Sequence, residues 1–208
     1  MILFRRPFRY RNDNVALILI GLTIGVFLVE QVYPPVKYYA ALNPRAVMSG
    51  WVWQFVSYMF AHGNLSHLLF NMLALFVFGT QVERHMGSRE FLLYYMATGI
   101  LAGVFSFLVY WLTGAYGVFL LGASGALFAV QLAYATLFPD AVIYIWGILP
   151  LRAPIMVLGF TVIELFSSVT GIGRGVAHLT HLAGFAFGWI YFLVRFGENP
   201  WNSLIRRS

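Results

Sequence analysis

At 208 residues, 61% hydrophobic and 10% charged, the chain lies far from soluble domains, which carry about 25% charged residues, and reads as a membrane protein. The absence of cysteine excludes a disulfide scaffold and cysteine-ligated metals. The net charge of +6 is not a nucleic-acid signature, because the basic residues sort to one side of a membrane.

Residues 1–13 (MILFRRPFRYRND) form a basic N-terminus. The apolar run that follows is too long for a signal-peptide core and lacks a convincing cleavage site, so it is expected to be retained as a span. About 20 apolar residues cross a bilayer as a helix. Runs of that kind fall at 14–33, 65–83, 90–112, 117–138, 154–171 and 177–196. All six are expected to be helical, because backbone polar groups in lipid must be satisfied within the segment. Pro139 ends the fourth run, and Pro154 suits the first turn of the fifth. The sequence therefore predicts an all-α membrane protein: a six-helix membrane domain over 14–196 and a short tail over 197–208.

Ten basic residues fall on one side of these spans: Arg5, Arg6, Arg9, Arg11, Arg84, Arg89, Arg152, Arg195, Arg206 and Arg207. Lys37, Arg45 and Arg174 fall on the other. The positive-inside rule then puts both termini in the cytoplasm. The segment Ala46 to His62 is rich in Trp, Phe and Tyr but too interrupted to span. It is expected to lie in the outer headgroup region between the first two spans. Ala141 to Leu149 is expected either to lie similarly on the inner side or to pack on the bundle as an ordinary loop.

Polar residues inside a membrane are costly and mark function. His67 and Asn71 lie in the first turns of the second span and share a face. Ser124 lies eight residues after Tyr116, roughly 12 Å along the fourth span at 1.5 Å per residue. His181 lies seven residues after Arg174, roughly 10 Å along the sixth by the same rise. Three spans thus bring Ser, His and a His/Asn pair to similar depth. Gly184 and Gly188 form G-x-x-x-G, and Gly122, Gly125 and Ala126 give the fourth span a matching small surface. Such surfaces let membrane helices approach closely, as a Ser–His hydrogen bond requires.

A serine needs a base to take its proton, and His181 is the candidate. Amide attack creates an oxyanion, for which Asn71, His67 and the Ser124 N–H are candidate donors. No carboxylate is expected near His181. Phe128, one turn below Ser124, is expected to orient the imidazole by ring packing. Taken singly, Ser124 also reads as a packing residue and His67, Asn71 or His181 as interhelical glue. Their shared depth favours catalysis. His62 and His178 are given supporting roles and Glu83 a structural one near Arg84 and Arg89, while Glu164, mid-span, is expected either to pair with a histidine or to stay protonated against backbone.

GASG around Ser124, H-x-x-x-N at His67 and Asn71, H-x-x-G at His181 and Gly184, and the stretch FGTQVERHMGSREF together resemble the rhomboid intramembrane serine proteases. The likeness runs over roughly residues 50 to 195. It implies a six-helix rhomboid-like core and a Ser–His dyad of Ser124 and His181. It also implies an oxyanion hole of His67, Asn71 and the Ser124 amide, and Phe128 in the place of a stacking aromatic that is often Tyr. Trp53-Gln54 stands where the family often has Trp-Arg.

The resemblance further implies cleavage of single-pass transmembrane substrates near their outer ends, with a small residue at the scissile bond; no cofactor or metal is expected. Membrane lipid is the expected surrounding and nucleic acid is not a partner. Water is expected to reach the site by a polar opening near His62, Asn64 and Ser66, and a prokaryotic cytoplasmic membrane is the expected location. Two alternatives stand. A non-catalytic protein that binds transmembrane helices would tolerate loss of Ser124. A haem protein would use His62, His67, His178 or His181 as axial ligands and would leave GASG and Asn71 unexplained.

Overall fold

The computed structural model describes residues 8–145, 147–170 and 175–205. Arg5, Arg6, Arg174, Arg206 and Arg207, used above for orientation, lie outside the described residues. The chain opens with α1 (Val15–Val32), followed by three short helices, α2 (Pro35–Ala40), α3 (Pro44–Met48) and α4 (Gln54–Ser57). Helix α5 (Leu65–Ala74) runs through a π-helical turn (Leu75–Gly79) into α6 (Thr80–Met86), and α7 (Ser88–Leu112) follows. Then come α8 (Ser124–Leu137), strands β1 (Val142–Ile145) and β2 (Leu149–Arg152), and α9 (Ala153–Thr170). Helix α10 (Gly175–Tyr191), a second π-helical turn (Phe192–Phe196) and α11 (Pro200–Leu204) complete the described chain.

Each of the six apolar runs holds a helix. Four are long and apolar enough to cross a membrane: Val15–Val32, Leu65–Met86, Ser88–Leu112 and His178–Phe196. Two shorter apolar helices, Ser124–Leu137 and Ala153–Ser168, accompany them.

Two expectations are corrected. The fourth run was expected to be helical from residue 117, but α8 begins at Ser124. The stretch before it is pinned as extended chain: Leu120 pairs with Leu42 as an antiparallel bridge, and the Gly122 N–H donates to the Tyr58 carbonyl at 2.9 Å. The second correction is that the fold is not purely helical. Residues 142–152 form an antiparallel hairpin with Ile143 opposite Leu151, whose alternating side chains (half-buried Ile143 and Ile145, exposed Val142 and Tyr144) suit a strand laid against a bundle.

Helix α8 lies at the centre, with Ala126, Leu127, Ala129, Val130, Leu132, Ala133 and Ala135 all buried. Its small residues are what allow neighbours so close. A Cβ on Gly184 of α10 would sit 1.9 Å from the carbonyl oxygen of Gly125, and one on Gly188 would sit 2.6 Å from the Tyr94 hydroxyl. The two backbones therefore meet directly where larger residues would hold them apart.

Buried charge is tied down. Glu83 does not pair with Arg84 or Arg89. Its carboxylate instead accepts the Val15 and Ala16 N–H groups at 2.7 and 2.8 Å and the Ser88 hydroxyl at 2.5 Å. It thus satisfies orphan donors at the start of α1, where Asn14 supplies no side-chain cap. Arg195 holds Glu90 in a two-pronged pair at 2.7 and 2.8 Å.

The aromatic segment folds as α3, α4 and their joining turn, with Tyr39, Trp51 and Trp53 stacked in series. Gln54 is fully buried there. It accepts the Asn43 N–H at 3.0 Å and donates to the Tyr39 carbonyl at 3.2 Å, so the amide ties the segment to its own backbone.

Candidate active site

Ser124 is the first residue of α8, not a residue two turns inside a helix. The position has a chemical consequence, because the first N–H groups of a helix lack intrahelical acceptors and carry the positive end of its dipole. Gly122, two residues earlier, has φ 114°. A Cβ there would fall 2.6 Å from His67 Cε1 and 3.5 Å from Asn71 Nδ2. Only glycine lets the loop pass this close in that conformation. His67, Asn71 and the serine loop consequently meet at one point.

His181 closes the group from α10. Its Nε2 lies 2.7 Å from Ser124 Oγ, and its ring is stacked on Phe128 with centroids 4.7 Å apart and planes 8° from parallel. The Gly125–Gly184 contact one turn away sets this separation. Ser124, His181, His67, Asn71, Phe128, Gly122, Gly125 and Gly184 are thus brought together, while Gly188 acts farther along the same helix contact against Ala129 and Tyr94.

His62 is buried and does not line an opening. Asn64 and Ser66 are exposed, and Asn64 caps α5 by accepting the His67 N–H at 2.8 Å. His62 Nδ1 faces the Phe60 carbonyl at 3.2 Å. A carbonyl only accepts, so Nδ1 carries the hydrogen and Nε2 is free to accept from Asn71 Nδ2 at 2.9 Å. Burial pushes the His62 imidazole down to about 4, so it stays neutral and keeps that acceptor. One amide hydrogen of Asn71 is thereby committed to His62, which leaves the other on an Nδ2 that lies 3.5 Å from where a Cβ on Gly122 would sit. Glu30, buried in α1, accepts the His62 N–H at 3.4 Å.

The expectation of no carboxylate near His181 is overturned. Glu164, from α9, places Oε1 3.1 Å from His181 Nδ1 and Oε2 2.5 Å from His178 Nδ1. A glutamate in a lone apolar run was visible in the sequence. Which histidine it would meet was not, because that depends on how α9 and α10 pack against each other.

Below Ser124 an apolar cavity of about 580 Å³ opens between α5, α8, the hairpin and α9, with Phe78, Phe128, Ile143, Met156 and Phe160 in its walls. It is large enough for side chains of a bound segment, and Ser124 and Asn71 stand in its lining.

Residues 49–198 match the family model described as the Rhomboid domain. The chain is 37% identical over 102 residues to the Rhomboid protease GluP of Bacillus subtilis, covering 48% of this chain and 20% of that protein. It is 26% identical over 219 residues to the chloroplastic Rhomboid-like protein 11 of Arabidopsis thaliana, covering 98% and 73%. It is 29% identical over 202 residues to the mitochondrial Rhomboid protein 1 of Saccharomyces cerevisiae, covering 89% and 55%. The chain thus spans one fifth of the first of these relatives and about half of the third.

Proposed function

The chain belongs to the rhomboid family, and from that premise we propose that it is an intramembrane serine endopeptidase with Ser124 as nucleophile and His181 as base. The observation that carries this reading is the 2.7 Å approach of His181 Nε2 to Ser124 Oγ at the start of α8. Six membrane crossings, with both termini cytoplasmic and the α8 N-terminus toward the outer face, accord with the basic-residue count. A prokaryotic membrane remains part of the proposal.

In the reaction, Ser124 Oγ attacks a backbone carbonyl of a single-pass helix as Nε2 takes the hydroxyl proton. The negative oxygen forms beside the Ser124 N–H, the second amide hydrogen of Asn71 and the His67 ring. Donors fixed in advance in this way stabilise charge without reorganising. His181 then returns its proton to the leaving amine, the peptide C–N bond breaks, and water hydrolyses the acyl-serine ester. The cavity beside Ser124 suits the apolar chain of a substrate helix. A helical substrate protects its own backbone, so cleavage favours segments that unwind at Gly or Pro; the family resemblance adds a small residue at the scissile bond.

Three of the four histidines open to the haem alternative are already engaged: His62 with Phe60 and Asn71, His178 with Glu164, and His181 with Ser124. The test is covalent labelling of the detergent-purified protein by a fluorophosphonate. Wild type is expected to label and Ser124→Ala and His181→Ala are not. Folded wild type that takes up no probe would sink the nucleophile and favour a helix-binding protein without catalysis.

A further inference from the structure

We propose that Glu164 is a positioning residue that holds His181 in its Nδ1–H form and steadies the charged ring during the reaction. In this chain the pair then works as a Ser–His–Glu triad, a proposal that rests on the protease reading of the same site. Three features argue for it. The first is tautomer logic. Nε2 can accept the serine proton only if the ring hydrogen sits on Nδ1, and Nδ1 makes no hydrogen bond in the resting arrangement. Its nearest acceptor is Glu164 Oε1 at 3.1 Å, off the line of a hydrogen bond. A small turn of the carboxylate makes the bond, and catalytic contacts often tighten only with substrate bound.

The second feature is anchoring. The other oxygen, Oε2, is held by His178 Nδ1 at 2.5 Å. His178 stands three residues before His181 on α10, on the same face. One carboxylate thus bridges two histidines of one helix, with all three side chains only 15–21% exposed. The third feature is cost. A carboxylate within an apolar helix, flanked by exposed Ile163 and Leu165, is expensive unless paired. Among the described residues its partners are His178 and His181.

No atom need leave Glu164 in this scheme. The carboxylate accepts the Nδ1 hydrogen throughout, His181 gains the serine proton at Nε2 and passes it to the amine, and the glutamate stays ionised. Among the described residues, His67 of α5 is, with Glu164 and His178, in electrostatic reach of His181.

The experiment is the second-order rate of fluorophosphonate labelling of the full chain in detergent from pH 4 to 9, for wild type, Glu164→Gln and Glu164→Asp. Losing the carboxylate of a well-aligned triad lowers kcat about 10⁴-fold. Here the contact is off-line and Phe128 already holds the ring, so Glu164→Gln is expected to slow labelling by roughly 10–100-fold on that scale. Its acid limb should move to lower pH, because the anion no longer favours the protonated ring, and Glu164→Asp should recover part of both. Wild-type rate and an unmoved limb in folded Glu164→Gln would overturn the proposal.

The imidazole nitrogen spectrum of His181 is the second readout, and it is independent of activity. If wild type does not label at all, the protease reading fails by itself. Loss of the Nδ1–H form in Glu164→Gln would still support positioning, and an unchanged spectrum would refute it.

Discussion

The two sides of α8 are built in different ways. Toward α10 the backbones touch through Gly125 and Gly184, and a methyl group has no room. Toward α9 there is a cavity of about 580 Å³, and α9 leaves Ile155, Val162, Ile163, Leu165 and Phe166 more than half exposed. Near its start α9 is fixed by buried Ala153, Met156 and Val157, and farther along by the Glu164 pair. The close seam fixes the distance between Ser124 Oγ and His181 Nε2. The open side leaves space for something to lie against Ser124. Precision and access are assigned to different helix pairs, so one can be altered without the other.

The strongest way to break this contrast is to put the same methyl group on each side. Gly184→Ala drives a Cβ toward the Gly125 carbonyl, where it would sit 1.9 Å away. Backbone cannot rotate aside as a side chain can, so α10 must move and the 2.7 Å Ser–His contact must open. Labelling should fall below detection, and stability should drop by more than the roughly 1–3 kcal/mol of ordinary overpacking. Gly159→Ala on α9 meets nothing within 4 Å. It should label like wild type and be neutral to about 1 kcal/mol more stable by helix propensity. Thermal unfolding and probe labelling of the pair decide it, and equal effects would erase the distinction between the sides.

Asn71 sharpens the comparison because it lines the open cavity yet is held by the rigid loop through His62. Removing one oxyanion donor costs about 10²–10³ in kcat, so, if the proposed protease reading holds, Asn71→Ala should reduce turnover of a transmembrane substrate by that factor. Substrate binding measured with the inactive Ser124→Ala background should change little. A large loss of binding instead would make Asn71 part of the cavity wall and not of the chemistry.

What the sequence made legible follows from the range of each signal. Apolar run length located a helix in each span, and H-x-x-x-N put His67 and Asn71 on one face, because these are local properties. The small residues on α8 and α10 indicated which helices touch. The start of α8 was not legible. Leu120 and Gly122 are apolar or small and read as helix, yet their backbone hydrogen bonds go to Leu42 and Tyr58, far away in sequence. The hairpin was missed because a short apolar run bounded by Pro139 and Pro150 carries no helical period. Glu164 stood out as a charge in an apolar run, but its partners required the α9–α10 register. Phe128 on His181 was within reach of sequence, since both the one-turn offset from Ser124 and the glycine seam were visible.

The smallest expected effect concerns the clamp on Asn71. His62 titrates at about 4 in the folded protein against 6.5 as its ordinary value, chiefly because burial disfavours its charged form. An unfolded chain therefore binds a proton at this residue as pH falls below 6.5, while the folded chain does not. The stabilisation associated with the neutral ring is fully present above pH 6.5 and is lost as pH falls toward 4. The shift corresponds to at most about 3 kcal/mol at 1.36 kcal/mol per unit. Because His62 stays neutral down to that range, Asn71 keeps its orientation through mild acid. Thermal unfolding of wild type and His62→Gln at pH 7.5 and 4.5 tests this. The variant should lose less stability than wild type over that interval. If both proteins lose the same stability, the buried imidazole is not what makes the fold acid-sensitive, and the clamp on Asn71 must rest on Glu30 and the loop backbone instead.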